Sequence, residues 1–340
     1  MKSKVLLTGV TGFIGAHTTI QLLDQGFQVI GTSRSHSKGK YIKNIIAQHT
    51  QNLDKLHIVE AHLDYSVQQW EALLEGVDYI QHIASPFPRV QPKDPNQLIG
   101  PAKIGVLNIL QAAANQGVKR VVLTSSTGAI AYGRKKRGLF TEADWTDETN
   151  LKDTTPYFRS KTIAEKVAWE FIEQHQSDLE LTVVNPALVL GPLLDSKDYG
   201  TSAGYILKML DGSLPALAKI GYGMVDVRSI TDLLAKAMLH PKAAGERFIG
   251  STDYWTMREV AQVLREHFPQ RKIPKASLPN FILRLFAMID KEAAPVIIEI
   301  GAERKLSNEK AKKMLGWQPI ANQQAIIDTA KSLIQHKFVS

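Results

Sequence analysis

Tyr157, Phe158, Arg159, Ser160 and Lys161 form a Y-x-x-x-K pentad inside the run PYFRSKTIAEKVAWEFIEQ. In a helix, residues four apart share a face, with Cβ atoms about 5–6 Å apart. The run therefore sets a phenol beside an ammonium. A free tyrosine titrates near about pH 10, and a fixed cation nearby favours the phenolate and lowers that value. A tyrosine tuned in this way can give a proton to a carbonyl oxygen or take one from an alcohol. Tyr and Lys also fall four apart by chance on packed helices, so two further segments must support the reading.

The first is KVLLT at residues 4–8, an apolar run that reads as a buried strand. Gly9, Gly12 and Gly15 follow, three apart, and residues 13–25 have helical periodicity with Ile14, Ile20, Leu22 and Leu23 as apolar members. Strand, glycine-rich turn and helix form the context of a dinucleotide site. Glycines let the backbone approach a pyrophosphate, and a helix N-terminus offers it free N–H groups and a positive dipole. The expected contacts are Gly9, Thr11, Gly12, Phe13, Ile14 and Gly15. A signal peptide beginning at Lys2 is disfavoured, because the glycines interrupt its apolar region.

FQVIG at residues 27–31 reads as the second strand. An NAD-specific site carries an acid about twenty residues beyond the glycine turn. Here Thr32, Ser33, Arg34 and Ser35 follow, and no acid comes before Asp54. Arg34 suits a 2′-phosphate through charge-assisted hydrogen bonds, and Lys38 or Lys40 can add a second cation. The spacing predicts NADPH over NADH; the alternative is a solvated basic loop.

The second supporting segment is VVLTSST at residues 121–127, a strand ending in hydroxyls. A serine there can hydrogen-bond an oxygen on which negative charge develops. Ser126 is the candidate and Ser125 the reserve; the alternative is that both satisfy loop backbone.

Together, TGVTGFIG, TSST and YFRSK resemble the extended short-chain dehydrogenase/reductase family, over nearly the whole chain. His62-Leu63-Asp64 is similar to the family's acidic turn beside the adenine. His82-Ile83-Ala84-Ser85-Pro86 is similar to its strand along the cofactor. Residues 185–192 (NPALVLGP), with Pro186 and Leu188, are similar to its segment against the nicotinamide amide, and KLSNEKAKKMLGWQP to its C-terminal stretch. The nearer resemblance is to the dihydroflavonol reductase, cinnamoyl-CoA reductase and microbial aldehyde reductase branch. Thr127 and Gly128 stand where the dehydratase branch has an Asp-Glu pair. Around residues 101–105 no asparagine matches the one many members carry.

The resemblance implies hydride transfer between NADPH and a carbonyl. Tyr157 would give the proton, Ser126 would orient the oxygen, and Lys161 would lower the Tyr157 pKa and hold the nicotinamide ribose. The pocket is expected from Phe87, Ser126, Gly128, Ile130, Phe158 and Tyr199, around a medium-sized, partly hydrophobic aldehyde or ketone. Phe158 and Tyr199 can equally be core aromatics. Two alternatives are a nucleotide-sugar epimerase with bound NAD and a non-catalytic NADP-sensing protein. Arg34 and the apolar pocket argue against the first, and the intact Tyr157 and Lys161 against the second.

With 340 residues, 44% hydrophobic, the chain has length for two domains. No run of about 18 apolar residues indicates a membrane span. The absence of cysteine excludes disulfides and thiolate catalysis and fits a cytoplasmic location. The ten histidines form no pair with metal-ligand spacing, so no metal is expected. The net charge of +8 is dispersed except for Arg134-Lys135-Lys136-Arg137, read as a solvated loop rather than a nucleic-acid contact.

Strand-like runs KVLLT, FQVIG, LHIVE, VDYIQHIA, RVVLTS and LTVVN alternate with helical stretches through the first 185 residues. This predicts an α/β fold, a Rossmann-type doubly wound parallel sheet, with ligands at the strand carboxyl ends. After Pro192 helical segments dominate, at residues 203–210, 230–239, 257–267, 281–289 and 323–334. The expected division is a cofactor domain at 1–192 with a return segment near 224–250, and a smaller helical substrate domain at 193–223 and 251–340. VDV (225–227) is expected to rejoin the main sheet. FILRLFAMI (281–289) reads as a buried helix or pocket wall, and the assembly as monomer or homodimer.

Overall fold

Val5, Leu6 and Leu7 have no solvent exposure, as expected of a strand covered on both faces. In this computed structural model, which describes residues 3–86, 92, 94–134, 138–197, 199–283 and 294–339, they sit near the middle of a seven-stranded sheet. In chain order the elements are β1 (Lys4–Thr8), α1 (Phe13–Asp24), β2 (Gln28–Ser33), α2 (His36–Ile46), β3 (Leu56–Glu60) and α3 (Val67–Glu71). Then come β4 (Tyr79–His82), α4 (Asn96–Asn115), β5 (Arg120–Thr124), β6 (Gly138–Phe140), α5 (Pro156–Gln174) and β7 (Glu180–Pro186). The second half holds β8 (Leu188–Leu190), α6 (Gly200–Leu210), β9 (Gly221–Asp226), α7 (Val227–Leu239), β10 (Arg247–Gly250) and β11 (Tyr254–Thr256). It closes with α8 (Met257–His267), β12 (Arg304–Leu306), α9 (Glu309–Leu315) and α10 (Asn322–Gln335).

The main sheet runs β10-β7-β5-β4-β1-β2-β3, with every pair parallel. Strand order reverses between β1 and β4, and such a switch point opens a ligand crevice at the carboxyl ends. One face is covered by α1, α2 and α7, the other by α3, α4 and α5. A separate apolar cluster joins Ile206 and Met209 of α6, Val260 and Leu264 of α8, and Ile326 and Ala330 of α10.

One expectation needs correction. VDV does not rejoin the main sheet: β9 pairs with β8 and β11 in a three-stranded sheet, and β10 takes the edge beside β7 instead. Asp226 ends β9 by capping α7, accepting from Arg228 N at 2.8 Å, so the chain turns into a helix there. The basic segment after β2, for which a solvated loop was the alternative reading, enters helix α2, started by Ser35, whose hydroxyl accepts from Lys38 N. Most of FILRLFAMI, and Lys135, Lys136 and Arg137, lie outside the described residues. Among the described residues no helix is long and apolar enough to cross a membrane.

Candidate active site

Thr155 starts α5 by accepting a hydrogen bond from Phe158 N at 3.2 Å, and Pro156 takes the first helical position. That start places Tyr157 in the first turn of the helix and Lys161 in the second. The Tyr157 phenol is hydrogen-bonded to the Ser126 side chain. Ser126 follows β5 with extended backbone and caps the short turn Thr127–Ala129, its Oγ accepting from Gly128 N at 3.0 Å. Ser125 is buried, and its Oγ has no partner among the described residues. Ser126 is thus the serine brought to Tyr157.

Lys161 is buried, and its Nζ donates to the Thr124 carbonyl at 3.0 Å. Burial lowers its pKa to about 8, with Glu165 opposing. Burial raises the Tyr157 phenol to about 12, and the Ser126 hydrogen bond opposes only in part. The phenol is thus raised, against the direction expected from Lys161. The ammonium is spent on the Thr124 carbonyl, and desolvation dominates the phenol.

Across the switch point, Thr8 Oγ1 lies 3.1 Å from His82 Nδ1 and accepts from Ile83 N and Ala84 N at 3.1 and 3.0 Å. It ties the ends of β1 and β4 and brings Ala84 against Gly9. Burial first, then Lys161, lowers the His82 pKa to about 3, so the ring is neutral. Gly9 adopts φ +77°, and a Cβ on Gly15 would lie 2.1 Å from the Gly9 carbonyl oxygen. Gly12 begins α1 without a side-chain cap, and the first turn holds no acid. The free N–H groups of that turn fit a pyrophosphate. Thr11 and Gly12 are exposed; Phe13 and Ile14 are half-buried.

Arg34 is exposed directly after β2, and Lys40 is exposed on α2. Leu63, Ala84, Ser85, His82 and Lys161 line one pocket, while Asp64 is exposed. Pro186 ends β7 buried, and Leu188 is half-buried at the start of β8. Phe158 stacks on Tyr132 with ring centroids 4.0 Å apart, and a Cβ on Gly128 would fall 2.4 Å from the Phe158 ring. Ile130, expected in the pocket, is wholly buried in a cluster with Tyr132, Phe140 and Ile249. Tyr199 packs edge-on against Phe338 with centroids 5.3 Å apart. Phe87 lies outside the described residues.

Sequence reasoning missed several groups. Tyr132 donates to Glu299 at 2.9 Å, and Arg304 binds both Glu299 and Asp153, at 2.7 and 2.5 Å. Glu165 and Asn185 are wholly buried. Glu165 had one usable signal: it continues the i, i+4 series Tyr157, Lys161, Glu165.

A doubly wound parallel sheet, an uncapped helix at its switch point and a Ser–Tyr–Lys set at the end of β5 define a Rossmann-type protein of the short-chain dehydrogenase/reductase class. The chain belongs to the NAD dependent epimerase/dehydratase family, whose sequence model matches residues 5–247, and so to the extended short-chain dehydrogenases/reductases. It is 32% identical to cinnamoyl-CoA reductase 1 of Petunia hybrida, over 97% of this chain and 91% of that protein. It is 29% identical to the NADPH-dependent methylglyoxal reductase of Saccharomyces cerevisiae, over 97% and 98%. The crystal structure of yeast methylglyoxal/isovaleraldehyde reductase complexed with NADPH superposes with a TM-score of 0.81 at 28% identity, covering 98% of this chain and 99% of that one.

Proposed function

We propose that this chain reduces an aldehyde or ketone to an alcohol with NADPH, with Tyr157 as the general acid. The observation that carries the reading is the Tyr157–Ser126 hydrogen bond beside buried Lys161, at the strand ends that face the uncapped start of α1. When bound, the cofactor supplies the hydride. The turn from Gly9 to Gly15 holds its pyrophosphate, and Arg34, with Lys40 on the neighbouring helix, takes the 2′-phosphate. Leu63 and Asp64 border the adenine side; Ala84, Ser85, Pro186 and Leu188 border the nicotinamide side. Lys161 holds the ribose hydroxyls. Ser126 orients the carbonyl oxygen, and Tyr157 protonates it. A phenol with its pKa raised to about 12 keeps its proton at neutral pH, which suits reduction. Residues 1–192 with 224–250 serve the cofactor, and 193–223 with 251–340 serve the substrate.

The relatives named as cinnamoyl-CoA reductase and methylglyoxal reductase support a carbonyl substrate. The Phe158–Tyr132 stack supports one with a hydrophobic part. The test is the rate of NADPH and NADH oxidation against aromatic and aliphatic aldehydes, ketoesters and a CoA thioester, with wild type and Arg34→Asp. The expected result is turnover with NADPH, and a KM for NADPH raised in Arg34→Asp far more than that for NADH. Tight NADPH binding without turnover on any substrate would remove the reductase reading, and equal changes in the two KM values would remove Arg34 from the phosphate.

A further inference from the structure

Glu165 stands one helical turn beyond Lys161 on α5 and has no solvent exposure. A buried carboxylate is costly unless it is paired and hydrogen-bonded. Arg247 of β10 meets that need: its Nε donates to Glu165 Oε1 at 2.5 Å. Arg247 is itself fixed, donating from Nη1 to the carbonyls of Glu142 and Asp144, with its guanidinium 3.6 Å from the Trp145 ring centroid.

The other oxygen of Glu165 leads elsewhere. Oε2 accepts from Asn185 Nδ2 at 2.8 Å, and the same nitrogen also donates to the main-chain oxygen of Ser126 at 3.2 Å. Lys161 meanwhile donates to the main-chain oxygen of Thr124 at 3.0 Å. Two successive residues on one face of α5 therefore grip the end of β5 on either side of Ser125. Lys161 does so directly, and Glu165 acts through Asn185. The helix that carries Tyr157 thereby sets the strand end that carries Ser126.

We propose that Glu165 is a positioning residue of the reductase site: through Asn185 it fixes the Ser126 main chain, and its charge supports the Lys161 ammonium. This rests on the reading of Tyr157, Ser126 and Lys161 given above. The titratable groups around Lys161 are Tyr157 and Glu165 on its own helix and His82 of β4, which is neutral. Those around Glu165 are Lys161 and Arg247. Glu165 is the one group that raises the Lys161 pKa against burial. Without its charge, the support that opposes the burial of Lys161 is gone, and Lys161 must release its proton at lower pH.

The test uses cofactor-free protein labelled with 13C at lysine Cε, so that it does not depend on turnover. The Lys161 signal is the one missing from Lys161→Met. Wild type should titrate near pH 8. Glu165→Gln keeps an acceptor for Asn185 and should move the midpoint down by about one pH unit. Glu165→Asp keeps the charge but shortens the arm. Its Lys161 midpoint should stay near wild type while kcat falls about ten- to hundredfold, with the KM for NADPH kept. Should Glu165→Gln fail to fold with Arg247 unpaired, Glu165→Gln/Arg247→Met removes both charges and should still lower the midpoint. An unchanged Lys161 midpoint in the folded neutral variant, or full kcat in Glu165→Asp, would overturn the proposal. A midpoint that moves as stated in a protein that turns over no carbonyl would instead count against the reductase reading alone.

Discussion

Tyr157 and Lys161 carry opposite consequences of the same burial. Desolvation penalises a charged form, so the phenol holds its proton up to about 12 while the ammonium begins to lose its own near pH 8. Reduction needs the neutral phenol and the charged amine. Tyr157 supplies the first across the whole working range, so Lys161 sets the alkaline limit. The kcat/KM for carbonyl reduction reports groups of the free enzyme. It should fall as pH rises through about 8. Lys161→Arg, whose guanidinium stays charged, should be slower and lose that limb. A wild-type profile that stays flat through this pH would contradict the assignment. At this scale the three residues proposed to react were legible because their chemistry is carried by type and by short helical or strand-end spacing. Asn185 and His82 were placed only as members of segments similar to the family's, Arg247 not at all, and the contacts of all three were not legible. Their partners lie 59, 74 and 82 residues away, and nothing local marks such pairs.

The glycine turn and α1 show what an element must give up to hold an anion. Gly15 has no room for a side chain, because its Cβ would meet the Gly9 carbonyl oxygen at 2.1 Å, and that oxygen is backbone. Gly12, with φ −87° and its nearest contact at 3.5 Å, could carry one. Gly15→Ala should therefore lower unfolding free energy by about 1–3 kcal/mol in urea, while Gly12→Ala leaves it nearly unchanged. Equal denaturation midpoints for the two would show that the turn is not packed as described. Elements of five or more residues with clear periodicity were readable from sequence, and α8 has the expected bounds. The three-residue strands β6, β8, β11 and β12 are too short for any alternation to register. Helix α2 was not foreseen from the sequence, which raised a basic loop only as the alternative to a phosphate contact. It forms because Ser35 caps it and Gly39 lets it approach Ile58, where a Cβ would come within 2.9 Å of Ile58 Cγ2.

Across the whole molecule, the second half of the chain completes what the first half begins. Trp317 Nε1 donates to the Ser229 carbonyl at 2.9 Å, and Ile320 N to the Ser229 hydroxyl at 2.8 Å, locking the C-terminal stretch onto α7. Arg304 lies 4.3 Å over the Tyr132 ring, whose other neighbour is Phe158, so the C-terminal segment also backs the wall beside Tyr157. The alternation of strands and helices made the parallel sheet legible. It could not tell which later strand returns, because β9 and β10 have similar local patterns and differ only in distant partners. The proposed chemistry rests on one phenol. The most direct measurement is therefore steady-state carbonyl reduction by Tyr157→Phe, with NADPH affinity measured on the same protein. Turnover should fall by about 10²–10⁴-fold while NADPH binds nearly as in wild type. Retained turnover with intact NADPH binding would show that the proton comes from another group and would contradict the assignment of Tyr157.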